Sequence, residues 1–215
     1  EDAVTVFHHL SMSTGLDYTV DDPFCTDTPC LSFLNPPGSH WYYHNAPYSL
    51  LRKVLENATG QNINNYTFRH MHQKIGMDGL WVRSGFNNFF TSTPRSMARF
   101  GLLMLAGGNW DGDSIMRDSD YFELMTRPST EQNPSYGLLW WPNGQEKHKV
   151  PGTDEEFEGS INPDGADEMY CAIGAGGQIL CVDPSQDIVF VRMGLSSNSE
   201  LVPVDILKSI TNKLN

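Results

Sequence analysis

The chain has 215 residues, with 14 Lys and Arg against 26 Asp and Glu, for a net charge of −12 at neutral pH. At 39% hydrophobic and 11% aromatic it can build a core without metals or disulfides and is not a disordered polyelectrolyte. The acidic balance argues against general binding to nucleic acid or an anionic membrane, and no apolar run approaches the roughly 20 residues that span a bilayer.

Residues 17–41 are polar and turn-rich (Asp21-Asp22-Pro23, Pro29, Pro36-Pro37-Gly38), which predicts a long loop of the kind that lines sites. From Tyr48 the pattern turns helical: Leu50, Leu51, Val54, Leu55 and Ala58 share a face, and Gly60 ends it. A second helical stretch covers about 66–75. A third starts at Thr93-Pro94, an N-cap followed by a first-turn proline, with Met97, Phe100, Gly101, Met104 and Leu105 at three-four spacing and Gly107-Gly108 as the stop. Residues 142–167 form a second turn-rich region, acidic at Asp154-Glu155-Glu156 and Glu158. Strands then dominate at 168–173, 178–183 and 187–193, with Asp183-Pro184-Ser185-Gln186 as a turn, and Val204–Leu214 reads as a closing helix. Helices, then antiparallel strands, then a helix make an α+β domain rather than alternating βαβ units. We read 1–215 as one domain, helical and looped to about 140, with strands and the last helix over about 168–215.

The four cysteines fall in two local pairs, Cys25 with Cys30 and Cys171 with Cys181, which suits disulfides in an oxidising compartment; the alternative is four reduced thiols in a cytosolic core. Neither pair has structural-zinc spacing. Two sequons, Asn57-Ala58-Thr59 and Asn65-Tyr66-Thr67, join the cysteines in favouring a secreted or luminal glycoprotein, or a periplasmic protein if the source is bacterial. The abrupt start at Glu1 reads as a processed or truncated product.

Two stretches carry candidate chemistry. In the first, Tyr43 and Asn45 stand two apart before a helix, where a Tyr beside a cation serves as a general base and an Asn amide holds a carbonyl. Taken alone, such an aromatic cluster reads as core. The second is Ala172-Ile173-Gly174-Ala175-Gly176-Gly177-Gln178 between strands, where a free backbone N–H can serve an oxyanion hole; a plain glycine-rich hairpin is the competing view. It is not a dinucleotide-binding Gly-x-Gly-x-x-Gly loop. The seven histidines show no His-Glu-x-x-His context, so no metal site is expected.

Together these blocks resemble the beta-lactamase-related serine hydrolases, which include class C beta-lactamases, DD-peptidases, related esterases and 6-aminohexanoate-dimer hydrolases. Thr5–Leu16 is similar to their "TVRHLLSMTSGL" segment. Pro37-Gly38, Tyr43-His44-Asn45 and Tyr48-Ser49-Leu50-Leu51 resemble the "PG…YSN…Y-LL" block, and Ile75-Gly76-Met77 its "PLGM" end. Ser92–Leu103 resembles "ST-D-ARFGLL", Asn109–Gly112 the following "G-WNGK", Tyr136–Trp141 "YGYLWW", and Gly176–Pro184 "G-GQ-I-VDP". The blocks keep the family's order over nearly the whole chain.

The resemblance implies a partial serine beta-lactamase-like (DD-peptidase transpeptidase) fold that needs no metal or organic cofactor. It casts Tyr43 as the proton shuttle, Asn45 as a contact for the substrate carbonyl and catalytic Lys, and the Ala175 N–H as one arm of the oxyanion hole. Ala172-Ile173-Gly174 falls where the family has Lys-Thr-Gly, His-x-Gly or Trp-x-Gly, so with Gly176 these residues would line the substrate. Ala172 lacks the charge that pairs with an antibiotic carboxylate. The family nucleophile lies in Ser-x-x-Lys, and no Ser here has Lys three residues on; Ser49-Leu50-Leu51-Arg52 is nearest and offers no base. We therefore expect the C-terminal part of a hydrolase of small esters, amides or peptides. An N-terminal companion fragment would supply Ser, Lys and the strands covering an otherwise exposed edge and unmatched sheet face. The alternatives are a catalytically inactive family member used for binding or structure, and a likeness of fold alone.

Overall fold

In the computed structural model, residues 4–195 are described. Helix α1 (Val6–Leu10) leads into a long loop broken by a 3-10 turn at Thr28–Cys30. Helix α2 (Asn45–Thr59) begins three residues before the apolar pattern does, because Pro47 in its first turn needs no N–H partner; it stops at Gly60 in the left-handed region (φ 64°). Its anticipated stripe is only partly covered: Leu50, Leu51 and Leu55 are half-buried, Val54 and Ala58 are exposed, and the buried residues are Ala46, Pro47 and Ser49. Helix α3 (Ile63–Thr67), a π-helical turn (Phe68–His72) and α4 (Gln73–Ile75) follow without a break.

Strands β1 (Gly79–Ser84) and β2 (Asn87–Ser92) form a hairpin that the sequence reading did not anticipate. Helix α5 (Pro94–Leu105) is capped as expected, the Ser96 N–H donating to Thr93 Oγ1 at 3.2 Å. The small hairpin β3 (Asn109–Trp110) and β4 (Asp113–Ser114) turns on Asp111-Gly112, both left-handed, and α6 (Ser119–Thr126) is capped by Asp118. There follow β5 (Trp141–Pro142), the hairpin β6 (Lys147–His148) with β7 (Phe157–Glu158), and β8 (Tyr170–Gly174), β9 (Gln178–Asp183) and β10 (Ile188–Arg192). The main sheet runs β10-β9-β8-β5, all antiparallel, so the α+β architecture holds. The closing helix expected over Val204–Leu214 lies outside the described residues.

Alternation sorts the sheet into two apolar faces. Tyr170, Leu180, Val182, Val189 and Val191 pack with Met104, Trp140 and Phe100 on the α5 side. Cys171, Ile173, Ile179, Cys181 and Phe190 pack with Met12, Trp41, Tyr136 and Trp141 on the other. Both faces of β8 and β9 are thus covered, correcting the expectation of an unmatched face there, whereas β10 is half-buried throughout and remains the outer strand among the described residues. Disulfides join Cys25 to Cys30 and Cys171 to Cys181, the latter pair directly opposite each other on β8 and β9. No helix among the described residues is long and apolar enough to cross a membrane.

Helix α5 approaches the sheet at Gly101, where an added Cβ would overlap Val189 Cγ1 and Leu180 Cδ1. Gly101→Ala should therefore cost about 1–3 kcal/mol, read as a lower urea midpoint at unchanged slope. Burial also lowers the pKa of His9, His44 and His72. A base whose folded pKa is depressed binds more protons when unfolded, so its stabilisation is full above the unfolded pKa and is lost as pH falls below it. Urea midpoints should accordingly drop between pH 7 and pH 5.

Candidate active site

The segment 40–45 is extended, and its side chains alternate. Trp41 and Tyr43 enter the aromatic cluster beneath β8 and β9, while His40, Tyr42 and His44 line a small cavity with Met12, Thr14, Leu16 and Tyr18. Tyr43 stacks on Trp141 (centroids 6.1 Å apart, planes at 17°) and meets Tyr136 edge-on at 6.1 Å. Burial pushes its phenol pKa up, and among the described residues no cation opposes this. The sequence-level condition for a Tyr base, a neighbouring positive charge, is thus not met by this stretch of chain; Tyr43 is a neutral phenol here. Asn45 opens α2 half-buried, its amide without a hydrogen-bond partner among the described residues.

The second half of the site is the β8–β9 turn. Cys171 and Cys181 have Cα atoms 4.1 Å apart, the spacing of a non-hydrogen-bonded antiparallel pair. Tyr170, Ala172 and Gly174 therefore bond across to β9, while Cys171 and Ile173 turn their N–H and C=O groups to the outer edge. That edge is paired with β5 only as far as Cys171, and beyond it this edge of β8 has no strand partner among the described residues, while the other edge stays paired with β9. Ala175 comes next in this series and is exposed at the tip, followed by Gly176 and Gly177 at φ 72° and 80°, conformations that suit glycine.

The turn is held by two residues that sequence reasoning passed over. Arg192, at the end of β10, donates to the carbonyls of Gly177 and of Gly194, the latter at 3.1 Å. The Gln178 amide donates to Gly194 O at 2.8 Å and accepts from Gly194 N at 3.0 Å. Gln178 carries a signal, as a polar residue closing the Gly176-Gly177-Gln178 run; Arg192 carries none, because its partner is a backbone carbonyl 15 positions away.

The structure therefore brings Tyr43 and Ile173 to one face of the sheet through a shared cluster. It puts the Ala172 methyl on the opposite, α5 face. Asn57 and Asn65 are both exposed, on α2 and α3. A separate open depression, lined by Lys74, Asp113, Ser114 and Arg117, shares none of the candidate residues.

A family model described as Beta-lactamase matches residues 1–201. A search of curated proteins gives no match. Among solved structures, one described as a 6-aminohexanoate-dimer hydrolase from Bacillus anthracis aligns with TM-score 0.67 at 19% identity, covering 97% of this chain and 60% of that one. A penicillin-binding protein homolog from Caulobacter crescentus aligns with TM-score 0.68 at 16% identity, covering 99% of this chain and 71% of that one. Simvastatin synthase from Aspergillus terreus gives TM-score 0.64 at 14% identity, covering 98% and 67%. These likenesses show the fold, and the chain spans 60–71% of the length of the three proteins. With its fold and most of its length matched, the chain belongs to the beta-lactamase family, the beta-lactamase-related serine hydrolases.

Proposed function

We propose that this chain carries the Tyr43, Asn45 and Ala175 part of a serine hydrolase that cleaves esters or amides through an acyl-enzyme. The nucleophilic Ser and its Lys would come from another segment of the same precursor or from a companion chain. One observation supports this above the others: a single aromatic cluster holds Tyr43 and the open end of β8 on the same face of the sheet, in a member of this family.

The chemistry runs as follows. Ser Oγ attacks the substrate carbonyl carbon, and the C=O electron pair moves onto oxygen. The Ser proton passes through Lys and Tyr43 to the leaving alkoxide or amine. The Ala175 N–H and the nucleophile's own N–H stabilise the oxyanion, and Asn45 contacts the substrate carbonyl and the Lys; collapse of the intermediate breaks the C–O or C–N bond and leaves the acyl group on Ser. Water then attacks the acyl-enzyme, releasing the acid and restoring Ser. An ammonium brought beside Tyr43 would favour its phenolate and offset the effect of burial. No metal or organic cofactor enters these steps.

Residues 17–41 and 142–167 hold eleven of the 26 acidic side chains and two of the 14 cationic ones. Such a rim disfavours anionic substrates, and Ala172 offers no cation to pair with a carboxylate. Small neutral or cationic esters, amides and peptides are the substrate class this supports. Two disulfides and the exposed sequon residues Asn57 and Asn65 support a secreted or luminal glycoprotein, or a periplasmic protein if the source is bacterial. A second reading, a catalytically inactive member used for binding or structure, rests on the absence of Ser-x-x-Lys from this sequence.

Native material labelled with a fluorophosphonate or a penicillin-type probe and weighed intact separates the two. We expect a labelled Ser-x-x-Lys fragment co-purifying with this chain. An unlabelled 24.1 kDa species, folded and alone, would overturn the hydrolase reading. In the assembled enzyme Tyr43→Phe should lower kcat by about 100-fold or more with a smaller change in KM. Peptide N-glycosidase should also reduce the mass of native chain by one or two glycans, and an unchanged mass would remove the glycoprotein assignment.

A further inference from the structure

The acidic loop is not simply a solvated rim. Hairpin β6–β7 is closed by its own contacts, with Lys147 Nζ 2.9 Å from Glu156 Oε2 and His148 stacked on Phe157. Its tip reaches across to the other long loop through Asp154. One Asp154 oxygen accepts from the Tyr18 hydroxyl at 2.8 Å, and the other lies 2.9 Å from His40 Nε2. Tyr18 in turn lies flat on Tyr42, with centroids 3.6 Å apart and planes within 7°. Burial and the Asp154 carboxylate push the Tyr18 pKa up to about 12, so its hydroxyl stays a donor.

The residues gripped in this way, His40 and Tyr42, alternate with Trp41 and Tyr43 along one extended stretch. The aromatic cluster holds that stretch from the front, and Tyr18 and Asp154 hold it from behind. Its backbone anchors are sparse: Tyr42 N donates to Met12 O at 3.1 Å, and Ala46 N to Pro23 O at 3.2 Å. An extended strand fixed on one face by stacking alone can still slide or twist, and a second grip on the alternate side chains removes that freedom.

We propose that Asp154 is a positioning residue: with Tyr18 it latches the 150–156 loop onto the back of segment 40–45 and fixes where Tyr43 and Asn45 stand. The link to catalysis rests on the hydrolase reading above; the latch itself does not. Asp154 is about half exposed, so replacing it leaves the core intact.

Residue-resolved amide exchange on the full chain tests the latch. In Asp154→Ala, the Tyr42 and Ala46 amides should exchange at least tenfold faster, while Leu180 and Val182 in the sheet keep wild-type rates. Tyr18→Phe should give a smaller acceleration, and its combination with Asp154→Ala less than the product of the two, since both remove the Tyr18–Asp154 hydrogen bond. Unchanged exchange at Tyr42 and Ala46 in Asp154→Ala would overturn the proposal. So would equal acceleration in the sheet, which would mean general destabilisation. Faster local exchange with undiminished turnover by the assembled hydrolase would uphold the latch and count against Tyr43 as proton carrier.

Discussion

The structure depends on the burial of Trp141. Its backbone pairs with Cys171 and so begins the main sheet at β5, while its indole lies under that sheet at 2% exposure. From there it touches Trp41, Tyr43 and Tyr136, with Tyr136 edge-on at 4.7 Å. Rings of this size have few rotamers and a preferred edge-to-face geometry, so a cluster of four admits few arrangements. The side of the sheet on which Tyr43 lies is therefore set by core packing, although Tyr43 itself is only half-buried.

The same sheet shows how tightly a small change of residue is constrained. Side chains on β8 and β9 alternate between two filled interiors, and a slip of one residue would exchange the two sets completely. The Cys171–Cys181 bridge joins directly opposed positions two residues from Ile173 and fixes that register covalently. Beyond Ile173 and Ile179 the glycine turn contributes no side chain to either core. Arg192 and Gln178 take over there and secure the glycine turn by its carbonyls. Glycine lets the turn adopt left-handed geometry, and the polar bracket removes the freedom that glycine brings.

Much of this was legible in the sequence, for identifiable reasons. Thr93-Pro94 announced α5 because capping and first-turn proline are local chemistry, and the three late strands were visible because short apolar runs, β-branched in β9 and β10, are bounded by turn residues. The hairpin of β1 and β2 was missed because Leu80, Val82 and Phe89 are exposed on it, so no alternation of apolar and polar marks it. The α2 face misled in the other direction: its apolar spacing is helical, but Val54 and Ala58 are left uncovered. At the site, Tyr43 and the glycine turn stood out as motifs, whereas the surroundings that decide their chemistry did not. Burial of the phenol, the side of the sheet on which Ala172 falls and the reach of Asp154 to Tyr18 over 136 positions are all tertiary facts.

These facts bear on how such a chain could take part in acyl transfer. The step needs a nucleophile, a proton acceptor and a place for negative charge. Under the proposed reading the open edge of β8 would serve the last of these, and the described residues hold a phenol whose pKa is raised by the packing around it. A raised phenol is a poor base by itself and a good proton relay once a cation stands beside it, because the charge lowers its pKa while burial keeps competing water away. The proposed division of labour follows from that balance. In that proposal this chain would provide the relay and the oxyanion edge, each held by contacts that do not involve a nucleophile. The charge that would activate the relay belongs with the Ser–Lys pair, so chemistry would begin only when the two are brought together.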